Sequence, residues 1–133
     1  LFSIEEDFVF FEEKQRSGLK LMLGDERTCV LVAEKAGHVI GMCSGQLTIS
    51  TAEGGPALLV EDRVVNEEFC WQGIGRKLLD EIAMWAQNRG ANRLQLLSDN
   101  KNDPAIKFYK KLGWEKTQLI CLRKRVAKND GVP

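Results

Sequence analysis

The chain has 133 residues, 44% of them hydrophobic, and its 19 basic side chains balance its 19 acidic ones. This length predicts a single domain over residues 1–133, and the zero net charge argues against a nucleic-acid partner, which would require a concentrated basic surface. The charges are uneven along the chain, with 13 acidic and 6 basic side chains in residues 1–69 and the reverse in residues 70–133, which is either incidental or the mark of a site for ligands of opposite sign.

The first predicted elements are one or two helices followed by a β-hairpin. Ser3-Ile4-Glu5-Glu6 has the spacing of a capping box, and apolar residues recur at helical intervals up to Gly24. Cys29–Glu34 is an apolar run rich in β-branched residues, and after the turn at Ala36-Gly37-His38 a second strand is predicted from Val39 to about Ile49. We expect His38 to be exposed in this turn.

Strands and helices alternate in the rest of the chain. Gly90 and Gly113 stand where helices should end, and Asp103-Pro104 has the residue types of an N-cap and a first helical proline. The predicted order is a strand over Ala57–Val65, a helix opening at Ile74, a strand over Arg93–Ser98, a helix over Asp103–Leu112, a final strand or pair of strands over Trp114–Val126, and a frayed tail over 128–133. This order predicts an α/β fold with a mixed, mostly antiparallel central sheet flanked by helices.

The cysteines and the hydropathy pattern bear on compartment and metal binding. Cys29, Cys43, Cys70 and Cys121 are widely separated, and one histidine is present, so the sequence predicts free, buried thiols and no metal site. It has neither an apolar signal region at residue 1 nor an apolar run of about 18 residues. We therefore expect a cytoplasmic protein with no membrane contact.

A glycine-containing turn, Gln72-Gly73-Ile74-Gly75, lies between a predicted strand and a predicted helix. This arrangement binds anions, because unpaired N–H groups and the positive end of the helix dipole point at the same place. Leu78 stands where a P-loop would have its second glycine and a dinucleotide fingerprint would have its third, so both motifs are excluded. A tight turn that only packs the helix on the sheet is the alternative.

Two sequence blocks resemble the signatures of one family. Val64–Leu79 resembles the central R/Q-x-x-G-x-G/A motif of the GNAT superfamily of acyl-CoA-dependent N-acetyltransferases, and Asn102–Trp114 resembles its N-x-x-A-x-x-F/L-Y-x-K-x-G-F/W block. With the strands around them, the resemblance covers roughly 29–125 and implies the GNAT fold. The chain departs from the family in having Cys70 where arginine or glutamine is preferred, and in lacking a recognisable strand ahead of Ser3.

The resemblance implies that acetyl-CoA is the co-substrate. The pantetheine arm would pair with the main chain of Val64 and Val65 and would contact Asn102, although an asparagine before Asp-Pro also shapes turns. The pyrophosphate would be held by the main-chain amides of the turn, with added positive charge from two of its side chains: Gln72, Gly73, Ile74, Gly75, Arg76 and Lys77.

Three groups are candidates for the chemistry of acetyl transfer. Tyr109, the one tyrosine of the sequence, stands where the family has the hydroxyl near the CoA sulfur, which makes it the candidate general acid; its alternative is a core aromatic residue. The main-chain N–H of Val65 is the candidate oxyanion donor. Glu61 and Asp62 are charged residues within an apolar strand, where consecutive side chains should point to opposite faces. They would serve as base or ammonium-binding groups, or would form a structural ion pair with Arg63. The pair is similar to one in spermidine/spermine acetyltransferases, where the carboxylates attract a cationic amine.

The resemblance therefore implies an N-acetyltransferase that moves an acetyl group directly to the primary amine of a small molecule or peptide in a ternary complex. A non-catalytic acyl-CoA-binding sensor or interaction module is the alternative function. An exposed final strand would support a homodimer.

Overall fold

The computed structural model describes residues 12–70 and 72–128. Within them the chain forms three α-helices, four strands and a short 3-10 helix over Glu67–Phe69. The helices are α1 (Glu12–Leu23), α2 (Ile74–Gln87) and α3 (Asp103–Lys111), and the strands are β1 (Thr28–Lys35), β2 (His38–Ser50), β3 (Gly55–Val65) and β4 (Leu94–Leu96). The capping box predicted at Ser3 lies outside the described residues.

The four strands form one sheet in the order β1-β2-β3-β4. The first three strands run antiparallel, and β4 pairs parallel to β3 after the α2 crossover. Ala36 and Gly37 both have positive φ, 50° and 81°, which is the geometry of the two-residue turn that suits the twist of a hairpin. The predicted mixed, mostly antiparallel sheet with flanking helices is confirmed.

Helix α2 packs on the sheet through an apolar face that contributes Leu78, Leu79, Ile82 and Ala86 to the core. At Gly45 the helix comes so close that an added Cβ would lie 2.9 Å from Cδ1 of both Ile82 and Leu58. A side chain there would collide with two fully buried residues, so glycine sets the distance between helix and sheet. The buried hydrophobic cluster consists of Cys43, Leu58, Val60, Val65, Leu78, Leu79, Ile82, Ala86 and Ala91.

Three details of the predicted secondary structure are wrong. The strand predicted over Trp114–Val126 does not form, because residues 115–128 pair with no strand of the described chain and are exposed throughout. The strand predicted over Arg93–Ser98 is reduced to the three residues of β4. Asp103 is the first helical residue rather than the N-cap of α3.

The N-cap of α3 is Asn102, whose Oδ1 accepts a hydrogen bond from the Ala105 N–H at 3.3 Å. The four cysteines are free, as predicted, but they are not all buried. Cys43 is buried, Cys29 and Cys70 are half-buried, and Cys121 is exposed. His38 is exposed, as expected.

Candidate acyl-transfer site

The turn that leads into α2 presents backbone amides at a helix N-terminus. Gly73 is the N-cap, with φ +78°, a left-handed conformation that glycine adopts without strain. Among the described residues no side chain caps this end, and its first turn carries the exposed cations Arg76 and Lys77 rather than an acid. Both features leave the end of the helix electropositive and suited to a phosphate group. The residues therefore fit the pyrophosphate that the family resemblance implies here.

The chain enters this turn through a short, hydrogen-bonded segment. Asn66 Oδ1 accepts a hydrogen bond from the Glu68 N–H at 3.0 Å and begins the 3-10 helix. The Cys70 thiol donates to the carbonyl oxygens of Val65 and Asn66, at 3.9 and 3.6 Å. Cys70, where the family prefers arginine or glutamine, thus fastens the turn to the end of β3 instead of adding charge to it.

Strands β3 and β4 stay paired for only part of the length of β3. Their parallel pairing joins Leu58–Val60 to Leu94–Leu96 and ends there, whereas β3 continues to Val65 and pairs with β2 along its other edge. Beyond Val60 the β4-facing edge of β3 pairs with no strand among the described residues, and an unpaired edge is the feature to which an extended ligand can add as a strand. Val64 and Val65 lie on this part of the strand, as the predicted pantetheine contact requires.

Glu61 is the extra residue of a β-bulge in β3. Gly45 of β2 lies opposite Val60, and Ser44 lies opposite Asp62, so Glu61 has no counterpart on β2. The bulge falls at the point where the pairing with β4 stops. Part of the Glu61 side chain reaches solvent, yet burial by surrounding protein atoms raises the pKa of its carboxyl, and the neighbouring charge of Asp62 raises it further.

Asp62 differs from its neighbour because it is fixed by a contact with the adjacent strand. Its Oδ2 accepts a hydrogen bond of 2.7 Å from the hydroxyl of Ser44, a residue with no exposed surface. The bulge thus gives the two acids different surroundings: Asp62 is anchored to β2, and Glu61 lies at the rim of the open edge.

Tyr109 lies on α3 and is held by contacts from three sides. Its hydroxyl oxygen accepts a hydrogen bond from Arg63 Nε at 3.0 Å. Its ring packs against Phe108 and Trp114, with centroid distances of 5.6 and 5.8 Å. The single tyrosine is half-buried, and its hydroxyl lies beside β3 rather than at the outer surface of the helix.

Arg63 contacts other residues than those that the sequence suggested. The sequence suggested an ion pair with Glu61 or Asp62, but the guanidinium turns toward α3 and the residue is only 8% exposed. It lies over the rings of Phe108 and Tyr109, at 4.6 and 4.9 Å from their centroids. An arginine within an apolar strand was the available signal, and its partner 46 residues away was not readable from the sequence.

The described ranges contain no cluster of three or more His, Cys, Asp or Glu side chains that could hold a metal ion. Among those same residues, no helix is both long and apolar enough to cross a membrane.

The order of the strands in the mixed sheet, the unpaired part of β3 and the helices around the sheet are those of the acyl-CoA N-acyltransferase fold. A family model described as the acetyltransferase (GNAT) family matches residues 2–114. The chain belongs to this family.

Two curated relatives illustrate the similarity in sequence. An uncharacterized N-acetyltransferase of Methanocaldococcus jannaschii is 26% identical over 117 residues, which are 86% of this chain and 52% of that protein. The streptothricin acetyltransferase of Streptomyces lavendulae is 34% identical over 90 residues, 68% of this chain and 45% of that protein. The chain thus spans about half the length of these curated relatives.

The structure of the aminoglycoside N-acetyltransferase AAC(6')-Iy in complex with CoA superimposes with a TM-score of 0.74. It is 22% identical to this chain, and the match covers 86% of this chain and 88% of that one. This likeness establishes the fold.

Proposed function

We propose that this domain is an acetyl-CoA-dependent N-acetyltransferase that moves the acetyl group directly to a primary amine of a cationic small molecule. The observation that carries the proposal is the position of the Tyr109 hydroxyl. It is fixed by Arg63 of β3, the strand whose open edge leads into the anion-binding turn. A phenol, the unpaired part of a strand edge and the N-terminus of α2 thus adjoin along one strand, which supports the proposal.

The co-substrate would bind through groups that belong to the backbone for the most part. The pyrophosphate would accept hydrogen bonds from the amides of Gln72–Lys77, with Arg76 and Lys77 supplying charge. The pantetheine arm would pair with Val64 and Val65 as an added strand. Asn102 would contact the arm through its amide nitrogen, because its Oδ1 is already engaged as the cap of α3.

The reaction then needs three groups. A neutral amine nitrogen attacks the thioester carbonyl and forms the C–N bond, while the Val65 N–H donates to the developing oxyanion. The C–S bond breaks with its electron pair going to sulfur, and the thiolate takes the phenolic proton of Tyr109. Glu61, directly or through water, takes the proton that the amine must lose.

The acceptor proposed is a cationic amine because acids border the open edge. Glu61 and Asp62 would attract an ammonium group, and the chain's similarity to streptothricin and aminoglycoside acetyltransferases favours a polyamino compound. Residues 1–69, which contain both acids, carry most of the acidic side chains of the sequence.

The test is release of free thiol from acetyl-CoA in the presence of a panel of amines: streptothricin, aminoglycosides, polyamines, amino acids and a lysine-containing peptide. We expect release that depends on at least one acceptor. A domain that is stabilised thermally by acetyl-CoA but releases no thiol with any amine would instead be an acyl-CoA-binding module.

A further inference from the structure

We propose that Arg63 is a positioning residue for Tyr109: its guanidinium fixes the phenol in place and stabilises the negative charge left on the phenol when Tyr109 gives its proton to the departing thiolate. This inference rests on the proposed function. It assigns a role in acetyl transfer to a residue that lies within β3 and is buried from solvent.

The first observation is a buried cation at a position where a strand within the core normally has an apolar side chain. Arg63 lies between Asp62 and Val64 and is 8% exposed. Burial lowers the pKa of its guanidinium from the ordinary value, whereas the Tyr109 phenol, by its charge and its hydrogen bond, raises it. Arginine nevertheless stays charged in proteins. Burying that charge costs free energy, so favourable interactions of the guanidinium with its neighbours must offset the cost.

The second observation is the geometry of that interaction. Nε donates to the Tyr109 oxygen at 3.0 Å, and the guanidinium carbon lies 4.6 Å from the Phe108 ring centroid. The planar group is therefore held by stacking as well as by its hydrogen bond, which fixes the direction of the N–H. A donor aimed at the phenol oxygen strengthens its bond once that oxygen becomes anionic.

The third observation is that the same guanidinium adjoins the turn of α2. A Cβ added to Gly75 would lie 2.6 Å from Arg63 Nη1, so the side chain fills the space beneath this residue. Arg63 thus lies between the proposed pyrophosphate site and the proposed general acid. Its contacts connect the turn that would hold the pyrophosphate with the phenol that would lie near the CoA sulfur. These two sites must be correctly spaced to bind the same acetyl-CoA molecule.

The proton and charge balance of the step is simple. The C–S bond breaks, sulfur becomes a thiolate, and the O–H bond of Tyr109 breaks as the S–H bond forms. The electron pair of that O–H bond remains on the phenol oxygen, which Arg63 faces. A proton from solvent, or the one released by the amine, later restores the phenol.

The experiment is a double-mutant cycle with R63M and Y109F, measured as kcat for thiol release. If Arg63 acts through the phenol, R63M lowers kcat about tenfold in the parent and by less than about twofold in the Y109F background, where the hydroxyl is missing. The KM for acetyl-CoA should change by less than about threefold, because the amides of the turn remain. R63K, which keeps a cation but not the fork of donors, should recover part of the loss.

A second readout does not depend on activity. Because Tyr109 is the sole tyrosine of the 133 residues, 3-fluorotyrosine labelling gives one ¹⁹F NMR resonance for the phenol. We expect R63M to shift this resonance. R93M is the matched control, since Arg93 contacts Glu53 at 3.4 Å and not Tyr109; it should leave the resonance unchanged.

The possible failures are distinct. Equal losses of kcat from R63M in both backgrounds, or an unmoved resonance, would mean that Arg63 is only structural and would overturn this inference alone. A parent protein that transfers no acetyl group to any amine would overturn the proposed function and this inference with it.

Discussion

Replacing Gly75 with alanine tests how tightly the first turn of α2 is packed against the interior. The new Cβ would lie 2.6 Å from Arg63 Nη1, well inside contact distance, and 3.5 Å from Phe108 Cζ, which is ordinary contact. The guanidinium must therefore move, although its stacking on Phe108 and its hydrogen bond to Tyr109 both resist displacement.

The magnitude follows from opposing contributions. Overpacking a tight site costs about 1–3 kcal/mol, and a strained or lost charged hydrogen bond adds about 1.5–3 kcal/mol. Alanine in place of a helical glycine returns about 0.5–1 kcal/mol. We expect G75A to lower the free energy of unfolding by about 2 kcal/mol in the parent. This value lies near the low end of the summed contributions, because the Arg63 side chain can partly relax away from the new methyl group.

The assay is urea denaturation of G75A in the parent and beside R63M, where no Nη1 atom meets the new methyl group. In the R63M background the same substitution should be neutral or stabilising, by up to about 1 kcal/mol. An identical loss of stability in both backgrounds would refute the claim that Arg63 fills the space beneath Gly75.

Three further predictions concern the acids and the core. Y109F should lower kcat for thiol release by about tenfold or more while leaving acetyl-CoA binding nearly intact, since only the hydroxyl is removed; unchanged turnover would exclude Tyr109 as the acid. E61Q should raise KM for cationic amines and remove the acid limb of the pH profile of kcat/KM, whereas D62N should move that limb to lower pH, because loss of the Asp62 charge lowers the pKa of Glu61, which burial and Asp62 together raise. E67Q, at an exposed acid of the 3-10 helix, is the control. If E61Q and D62N both have the pH profile of the parent, both acids are structural. G45A should destabilise the domain by about 1–3 kcal/mol, because the new Cβ would collide with Ile82 and Leu58. Differential scanning calorimetry should show a lower Tm, and an unchanged Tm would contradict the close packing of α2 on β2.

Local chemistry determined much of the fold. Ala36-Gly37 predicts the hairpin turn because the two residues supply the positive φ values that it needs. Pro104 predicts the start of α3 because proline suits the first helical turn. The final strand is absent for the opposite reason: an apolar, β-prone run becomes a strand only beside a partner edge, and residues 115–128 have none within the described chain.

The candidate site was predictable as motifs but not as contacts. Alternation along a strand put Glu61 and Asp62 on opposite faces, whereas the bulge that separates their roles depends on the register with β2. The sequence suggests an ion pair of Arg63 with its neighbours Glu61 or Asp62. The contacts of Arg63 come instead from α3, which follows β3 in the chain only after the α2 crossover and β4. Buried charges find partners through tertiary packing, which single-sequence patterns do not encode.

The central claim is that acetyl-CoA and an amine meet at the open edge of β3 and that Tyr109 assists the transfer. Mass spectrometry of an amine panel incubated with ¹³C-labelled acetyl-CoA tests it most directly, with the parent and Y109F compared side by side. We expect at least one amine to gain a labelled acetyl group, matched by an equal amount of free CoA, and to gain it far more slowly with Y109F. Unmodified amines throughout the panel, from a protein that still binds acetyl-CoA, would contradict the account.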